Sequence, residues 1–307
     1  MKAIRRLPVL ALLAAAACAQ TPVSDTFVED LEHREFLFFW ERADPRTGLV
    51  LDRAKADGSQ ERRRIASTAS TGFGLTALCI GAEHGWITRE QAQARVLATL
   101  RFLAAKMPRE HGWYYHFIDL RTGERQWKSE LSFIDTALLL AGVLTARQYF
   151  GEQSETGQLA ESIYESVDFQ WMLNGNPRLL SMGWKPESGF LHARWDKYCE
   201  LAILYLQAIG SPRHAIPADA WYAWRRPHMH YEGYEYISGG PLFTDQYSQA
   251  WLDFRGRRED RGERTGWFQN SVTATRAHRA FCINLRTKFP DYGPDAWGIT
   301  ASDSAKG

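Results

Sequence analysis

Cysteine is scarce, at 4 in 307 residues. Cys18 falls in the N-terminal run, and Cys79, Cys199 and Cys282 are an odd number without metal-ligand spacing, which argues against a disulfide framework or a thiolate metal site. Each of these three lies in an apolar segment that reads as a helix, so buried thiols are expected. An excess of one charge is missing too. The formal net charge is +1, and Arg62 to Arg64 is the single dense basic cluster, read as a solvated loop; neither points to nucleic acid. There is no P-loop, G-x-G-x-x-G fingerprint or G-x-S-x-G elbow, which leaves phosphoryl and hydride transfer without support. His228 and His230 lack a third ligand nearby, so neither a metal nor another cofactor is expected. No run of alternating strand residues and no Pro/Ser-rich linker stands out, so residues 21–307 read as one all-α domain.

Ahead of that domain, residues 1–20 read as an export signal: Lys2, Arg5 and Arg6 precede an apolar run too short to span a membrane as a mature helix, and small residues follow. Ala15-Ala16-Ala17-Cys18 resembles a bacterial lipobox, with alanine at its first position. The expectation is a lipid on Cys18 and a periplasmic, envelope-anchored protein; cleavage at an A-x-A site to give a soluble exported protein is the other reading. Aromatics are plentiful. Many of the 12 Trp lie in glycine-containing loops instead of helical stripes.

Two kinds of helix alternate along the domain. Residues 89–106 and 156–173 carry one apolar stripe each and should be outer helices. Residues 67–82, 131–147 and 197–209 are apolar on nearly every face and should be inner ones. Such alternation suits an (α/α)6 toroid, in which the inner helices run parallel and the loops leading into them gather at one end. A further helix is expected at 243–254.

Those loops carry the chemistry. Asp196 and Glu200, four residues apart, would share one helix face, behind Trp184, Phe190, Trp195 and Tyr198. Buried acids lose hydration, so acids at the mouth of an apolar helix suggest a polar cleft, and flat aromatic walls suit sugar rings. Glu130 opens the 131–147 helix and Asp135 follows. Glycoside hydrolysis needs one carboxyl to protonate the leaving oxygen and a second as base or nucleophile. Glu130, Glu200 and Asp135 are therefore the catalytic candidates, with helix capping and a buried polar network as the plain alternatives. Asp196, Trp184, Tyr198, Tyr247, Trp113, Trp251 and Arg255 are the candidates for substrate binding.

Several phrases together resemble the bacterial glycoamylase-like domain family, which includes the endo-β-1,2-glucanases of glycoside hydrolase family 144. They are FFWERADPRTGLVLDR (38–53), ASTGFGLTALCIGAEHGWITREQA (69–92), YYHFIDLRTGER (114–125), SELSFIDTALLLAG (129–142), MGWKPESGFL (182–191), WDKYCELAILYLQAIGSP (195–212), PLFTDQYSQAWLDFR (241–255) and YGPDAWGITASDS (292–304). The resemblance implies an (α/α)6 toroid acting on β-glucan with inversion, and carries its acids onto Glu130, Asp135 and Glu200. The family's chains continue past WGITASDS through further helices, and about nine candidate helices stand here against the twelve of a closed toroid. An open, incomplete toroid with partly exposed apolar faces is thus expected. Two rival readings are a polysaccharide lyase using Arg194, Tyr198 and His192, and a non-catalytic, lipid-anchored glycan-binding protein.

Overall fold

The computed structural model describes residues 25–302 apart from 56, 60 and 61, and these hold seven α-helices and nine strands of two to four residues. The export run and Cys18 lie outside the described residues. No helix among the described residues is long and apolar enough to cross a membrane.

The chain runs from α1 (Asp25–Glu41) through β1 (Ile65–Ser67) into α2 (Thr68–Glu83) and α3 (Arg89–Ala105). Four short strands follow: β2 (Arg109–Glu110), β3 (Trp113–Tyr114), β4 (Phe117–Asp119) and β5 (Leu131–Ser132). They lead into α4 (Phe133–Phe150) and α5 (Glu155–Glu165). After β6 (Gly183–Lys185), β7 (Gly189–Phe190) and α6 (Ala202–Ile209), a hairpin of β8 (His228–Tyr231) and β9 (Tyr234–Ile237) precedes α7 (Trp267–Asn284).

Local chemistry sets the helix starts. Ser67 caps α2 by accepting from the Ser70 amide, and Ser132 caps α4 by accepting from that of Asp135. Thr88 and Gln91 form a reciprocal capping box on α3. On α3 the side chains of Ala92, Val96, Leu100 and Leu103 are fully buried, each leucine contributing roughly 1.5–3 kcal/mol. This is the single stripe expected of an outer helix. By contrast α4 is buried nearly all round over its first three turns. It meets α2 at a close crossing made possible by two glycines: a Cβ on Gly142 would lie 2.0 Å from the Gly72 carbonyl oxygen, and one on Gly72 would lie 2.3 Å from that of Leu138. No side chain larger than hydrogen fits there.

Short strands fasten the starts of α2 and α4 together. β1 pairs antiparallel with β4, setting Ser67 opposite Phe117, and β5 pairs with β6, setting Ser132 opposite Gly183. His116 bridges the two, its carbonyl accepting from the Thr68 amide (3.1 Å) and its own amide donating to the Glu130 carbonyl (2.9 Å). Deeper in, the Gln207 side chain on α6 donates to the Ala137 carbonyl on α4.

Three expected helices are shorter or absent. The 197–209 segment becomes helical only at Ala202, because Asp196 and Tyr198 are drawn into an extended pairing with Arg225: its amide donates to the Asp196 carbonyl (2.7 Å) and its carbonyl accepts from the Tyr198 amide (2.9 Å). Asp196 and Glu200 therefore do not share a helix face, and Cys199 sits half-buried in a turn instead of a helix. The 156–173 helix stops at Glu165, where Asp168 turns its carboxylate onto the Trp171 amide, a local bond that competes with helix continuation. At 243–254 two 3₁₀ turns, Leu242–Asp245 and Tyr247–Ala250, replace the helix. The strands escaped notice because two to four residues are too few to show alternation. Arg62, Arg63 and Arg64 are exposed, and so are Ile80 on α2 and Phe268 and Phe281 on α7.

Candidate active site

Glu130, His116 and Asp135 form the centre of an acidic cluster over the starts of α2 and α4. Glu130 precedes the α4 cap by two residues, so it lies before the helix instead of opening it. Its carboxylate meets His116 Nδ1 at 3.0 Å. Gly183 across the sheet leaves it room, since a Cβ there would lie 3.0 Å from Glu130 Cγ. On the other side of the imidazole, Nε2 is 3.6 Å from Asp135 Oδ1. Asp135 is buried in the first turn of α4, where the hydroxyl of Ser132 also donates to it. The charge of Asp52 acts on both His116 and Asp135.

Glu200 reaches this cluster from the turn before α6, close enough to feel the charge of Asp135. Its carbonyl accepts from the Ser248 hydroxyl (2.8 Å), whose oxygen also accepts from the Ile203 amide (3.2 Å). That tie seats the two 3₁₀ turns against α6. Tyr247, beside Ser248, is half-buried with its ring 5.1 Å from that of Phe73 and its hydroxyl under the influence of Glu200 and Asp135.

The acids are pushed in opposite directions. The hydrogen bond from His116 lowers the Glu130 pKa, against the effect of burial, and Lys185 adds to it. Burial would lower the His116 pKa, but Glu130, Asp135 and Asp52 together carry it above its ordinary value. Asp135 is raised, by burial first, with His116 and Ser132 opposing. Glu200 is raised as well, again by burial, with its own backbone and Cys199 opposing and Asp135 adding. One carboxylate held ionised beside others biased toward their protonated form is what acid–base chemistry needs at a single site.

Of the residues singled out from sequence, Glu130, Asp135, Glu200 and Tyr247 come together here. The rest do not. Trp113 is fully buried, its indole N–H donating to the Asp168 carbonyl (3.0 Å). Tyr198 is buried and stacked on Trp267 at 4.6 Å. Trp251 is half-buried, packs on Phe73 and donates to Thr76 Oγ1 (3.0 Å). The β5–β6 register sets Trp184 opposite the buried Leu131, on the sheet face away from Ser132, and its ring lies 5.8 Å from that of Trp171. Asp196 is ion-paired with Arg225 (2.9 Å) at the surface. Arg255 forks onto Asp253 in an exposed loop (2.8 and 3.0 Å).

Two of the three residues proposed for a lyase have other employment. The guanidinium of Arg194 donates to the carbonyls of Leu173, Leu179 and Asn174, and Tyr198 is in the core. His228 pairs with Glu263 (2.9 Å), and no group of three or more His, Cys, Asp or Glu among the described residues is placed to hold a metal ion. His116 and Asp52 were overlooked. His116 was visible only as part of an aromatic stretch, His111 to Phe117, and its role depends on the β1–β4 pairing, which leaves no mark in the sequence.

A mainly helical fold with oppositely biased carboxyls at the lead into α4 and the turn before α6 holds the groups that the acid–base class of chemistry needs. Comparison with known proteins is consistent with that class. The family model Glycoamylase, described as "Putative glucoamylase", matches residues 192–307. An endo-β-1,2-glucanase from Chitinophaga pinensis, solved with sophorotriose and glucose, is 29% identical, with 93% of this chain and 73% of that chain covered and a TM-score of 0.83. A Bacteroides caccae structure described as a "putative glucoamylase" is 30% identical, with coverage of 92% and 73% and a TM-score of 0.80. The exo β-1,2-glucooligosaccharide sophorohydrolase (non-reducing end) of Parabacteroides distasonis is 28% identical over 92% of this chain and 44% of its own length. The chain thus spans less than half of that relative. It belongs to the bacterial glycoamylase-like family.

Proposed function

We propose that this protein is a glycoside hydrolase acting on β-glucan, β-1,2-linked in the first instance, with inversion at the anomeric carbon. The observation that carries the reading is the gathering of acids at the start of α4, where His116 lies 3.0 Å from Glu130 and 3.6 Å from Asp135, with Glu200 biased in the opposite direction from Glu130. Glu200, biased toward its protonated form by burial, donates a proton to the leaving glycosidic oxygen. Glu130, kept ionised by His116, acts as the base toward a water on the opposite face of the sugar, and Asp135 orients His116. Names of the relatives supply the substrate class: one is a β-1,2-glucanase and another a sophorohydrolase. The inner and outer helices belong, on this reading, to an (α/α)6 toroid whose cleft is the end where α2 and α4 start. Export with a lipid on Cys18 would put the enzyme where envelope glucans are met.

The test is incubation with linear glucans of β-1,2, β-1,3, β-1,4 and β-1,6 linkage, with products resolved by size and the first-formed anomer followed by NMR. New reducing ends from the β-1,2 polymer, appearing as the α-anomer, are expected. Saturable binding without cleavage would make the protein a glycan-binding one, and an unsaturated product absorbing in the ultraviolet would make it a lyase.

A further inference from the structure

We infer that Trp127 is a stacking platform for a glucosyl ring of the substrate, a subsite flanking the carboxylate cluster; the assignment rests on the glycan-cleaving reading above. Trp127 is the second most exposed of the large hydrophobic side chains among the described residues, at 57%. It stands in the loop that delivers the chain to Glu130. Its backbone and that of Lys128 are both left-handed, with φ of 54° and 50°, a conformation that costs non-glycine residues free energy and tends to persist where the surroundings impose it.

The surroundings here do impose it. Arg125 donates to the Ser129 carbonyl (2.5 Å) and the Lys128 carbonyl (2.8 Å), and also forks onto Glu187 in the turn between β6 and β7 (2.6 and 3.0 Å). The Gln126 amide donates to the Phe117 carbonyl (2.8 Å), and the Ser129 hydroxyl both accepts from the Phe117 amide and donates to its carbonyl (3.2 Å each). A loop pinned at both ends thus holds an indole in water, where burial would have been favourable.

What the indole faces explains the arrangement. Its ring meets Phe117 at 5.0 Å and 60°, and Phe117 stacks on His116 at 3.8 Å and 16°. His116 in turn holds Glu130. The three rings form a row that ends at the proposed base. A pyranose has an apolar C–H face and a polar rim, and a flat aromatic with one open face matches the first while leaving the second to water. The ligand class is accordingly an oligosaccharide longer than the bond being cut requires.

Steady-state kinetics on β-1,2-glucooligosaccharides of increasing length, with Trp127→Ala and Trp127→Phe, decide the matter. The alanine variant should raise KM about tenfold on the longer chains with kcat within about twofold, leave the shortest cleaved oligosaccharide unaffected, and be largely rescued by phenylalanine. An unchanged KM at every length, or an equal loss of kcat at all lengths, overturns the platform. If the wild type cleaves none of them, calorimetric binding of the same oligosaccharides separates the two ideas. Binding lost on Trp127→Ala retains the platform and discards the hydrolase, whereas no binding by the wild type discards both.

Discussion

The leads into α4 and α6 carry the same sequence signal, an acid just ahead of an apolar helix, yet they differ in construction. Before α4 the chain is paired on both sides, Ser132 caps the helix and His116 meets the acid. Before α6 there is no side-chain cap, the chain turns through Tyr198 to Leu201, and the half-buried Glu200 is shifted by burial and by Asp135, not by a basic group. The first surrounding favours the ion and the second the neutral acid. Two carboxyls of ordinary pKa are separated by what stands next to them, burial in one case and a histidine in the other.

The largest effect should come from neutralising either acid. Glu200→Gln and Glu130→Gln should each lower turnover about 100-fold or more with the fold intact; a near-normal rate in one of them removes that carboxyl from the chemistry and breaks the symmetry of the pair.

Thermal unfolding across pH sharpens the contrast, because the two acids contribute to stability with opposite sign. Glu130 is held below its ordinary 4.5, so its contribution is present above that value and is lost as pH falls through the folded pKa. Glu200 is held above 4.5, so its contribution is present below that value and is lost as pH rises through the folded pKa. At neutral pH Glu130→Gln should therefore lower Tm and Glu200→Gln should hold or raise it. Two shifts of the same sign would contradict the contrast.

His116→Asn should cost about 1 kcal/mol, greatest between the ordinary carboxylate and histidine values of 4.5 and 6.5. The raised His116 pKa gives stability that is complete below 6.5 and is lost as pH rises through the folded value, while the Glu130 contribution is lost on the acid side. The same variant should move the acid limb of the rate profile upward, as Glu130 loses its partner. Denaturant melts at three pH values check the first effect and pH–rate profiles the second.

The smallest change should follow Asp196→Asn. Its ion pair with Arg225 is exposed, and such pairs contribute about 0–1 kcal/mol. A large loss of activity from this variant would return Asp196 to the cleft.

Sequence made the enclosed helix α4 and the one-striped helix α3 legible because eighteen and seventeen residues are long enough to display burial on all faces or on one. It overestimated α6, whose first turn is lost to Arg225, a residue 29 positions from Asp196. Periodicity is blind to such pairing. Glu130, Asp135 and Glu200 were legible as acids beside apolar runs. His116 was not, because its role arises from a two-strand contact between segments some fifty residues apart in the chain. Trp113 and Tyr198 were misplaced for a related reason: a Trp or Tyr in a glycine-rich loop looks the same whether the loop folds inward, as at β3, or stays at the rim.

The opposed protonation of Glu130 and Glu200 can be measured directly by ¹³C NMR titration of the side-chain carboxyls, with Glu130→Gln and Glu200→Gln used to assign the two resonances. One glutamate should titrate below 4.5 and disappear in Glu130→Gln, and another above 4.5 and disappear in Glu200→Gln. Both titrating on the same side of that value, or in the reverse order, would contradict the account.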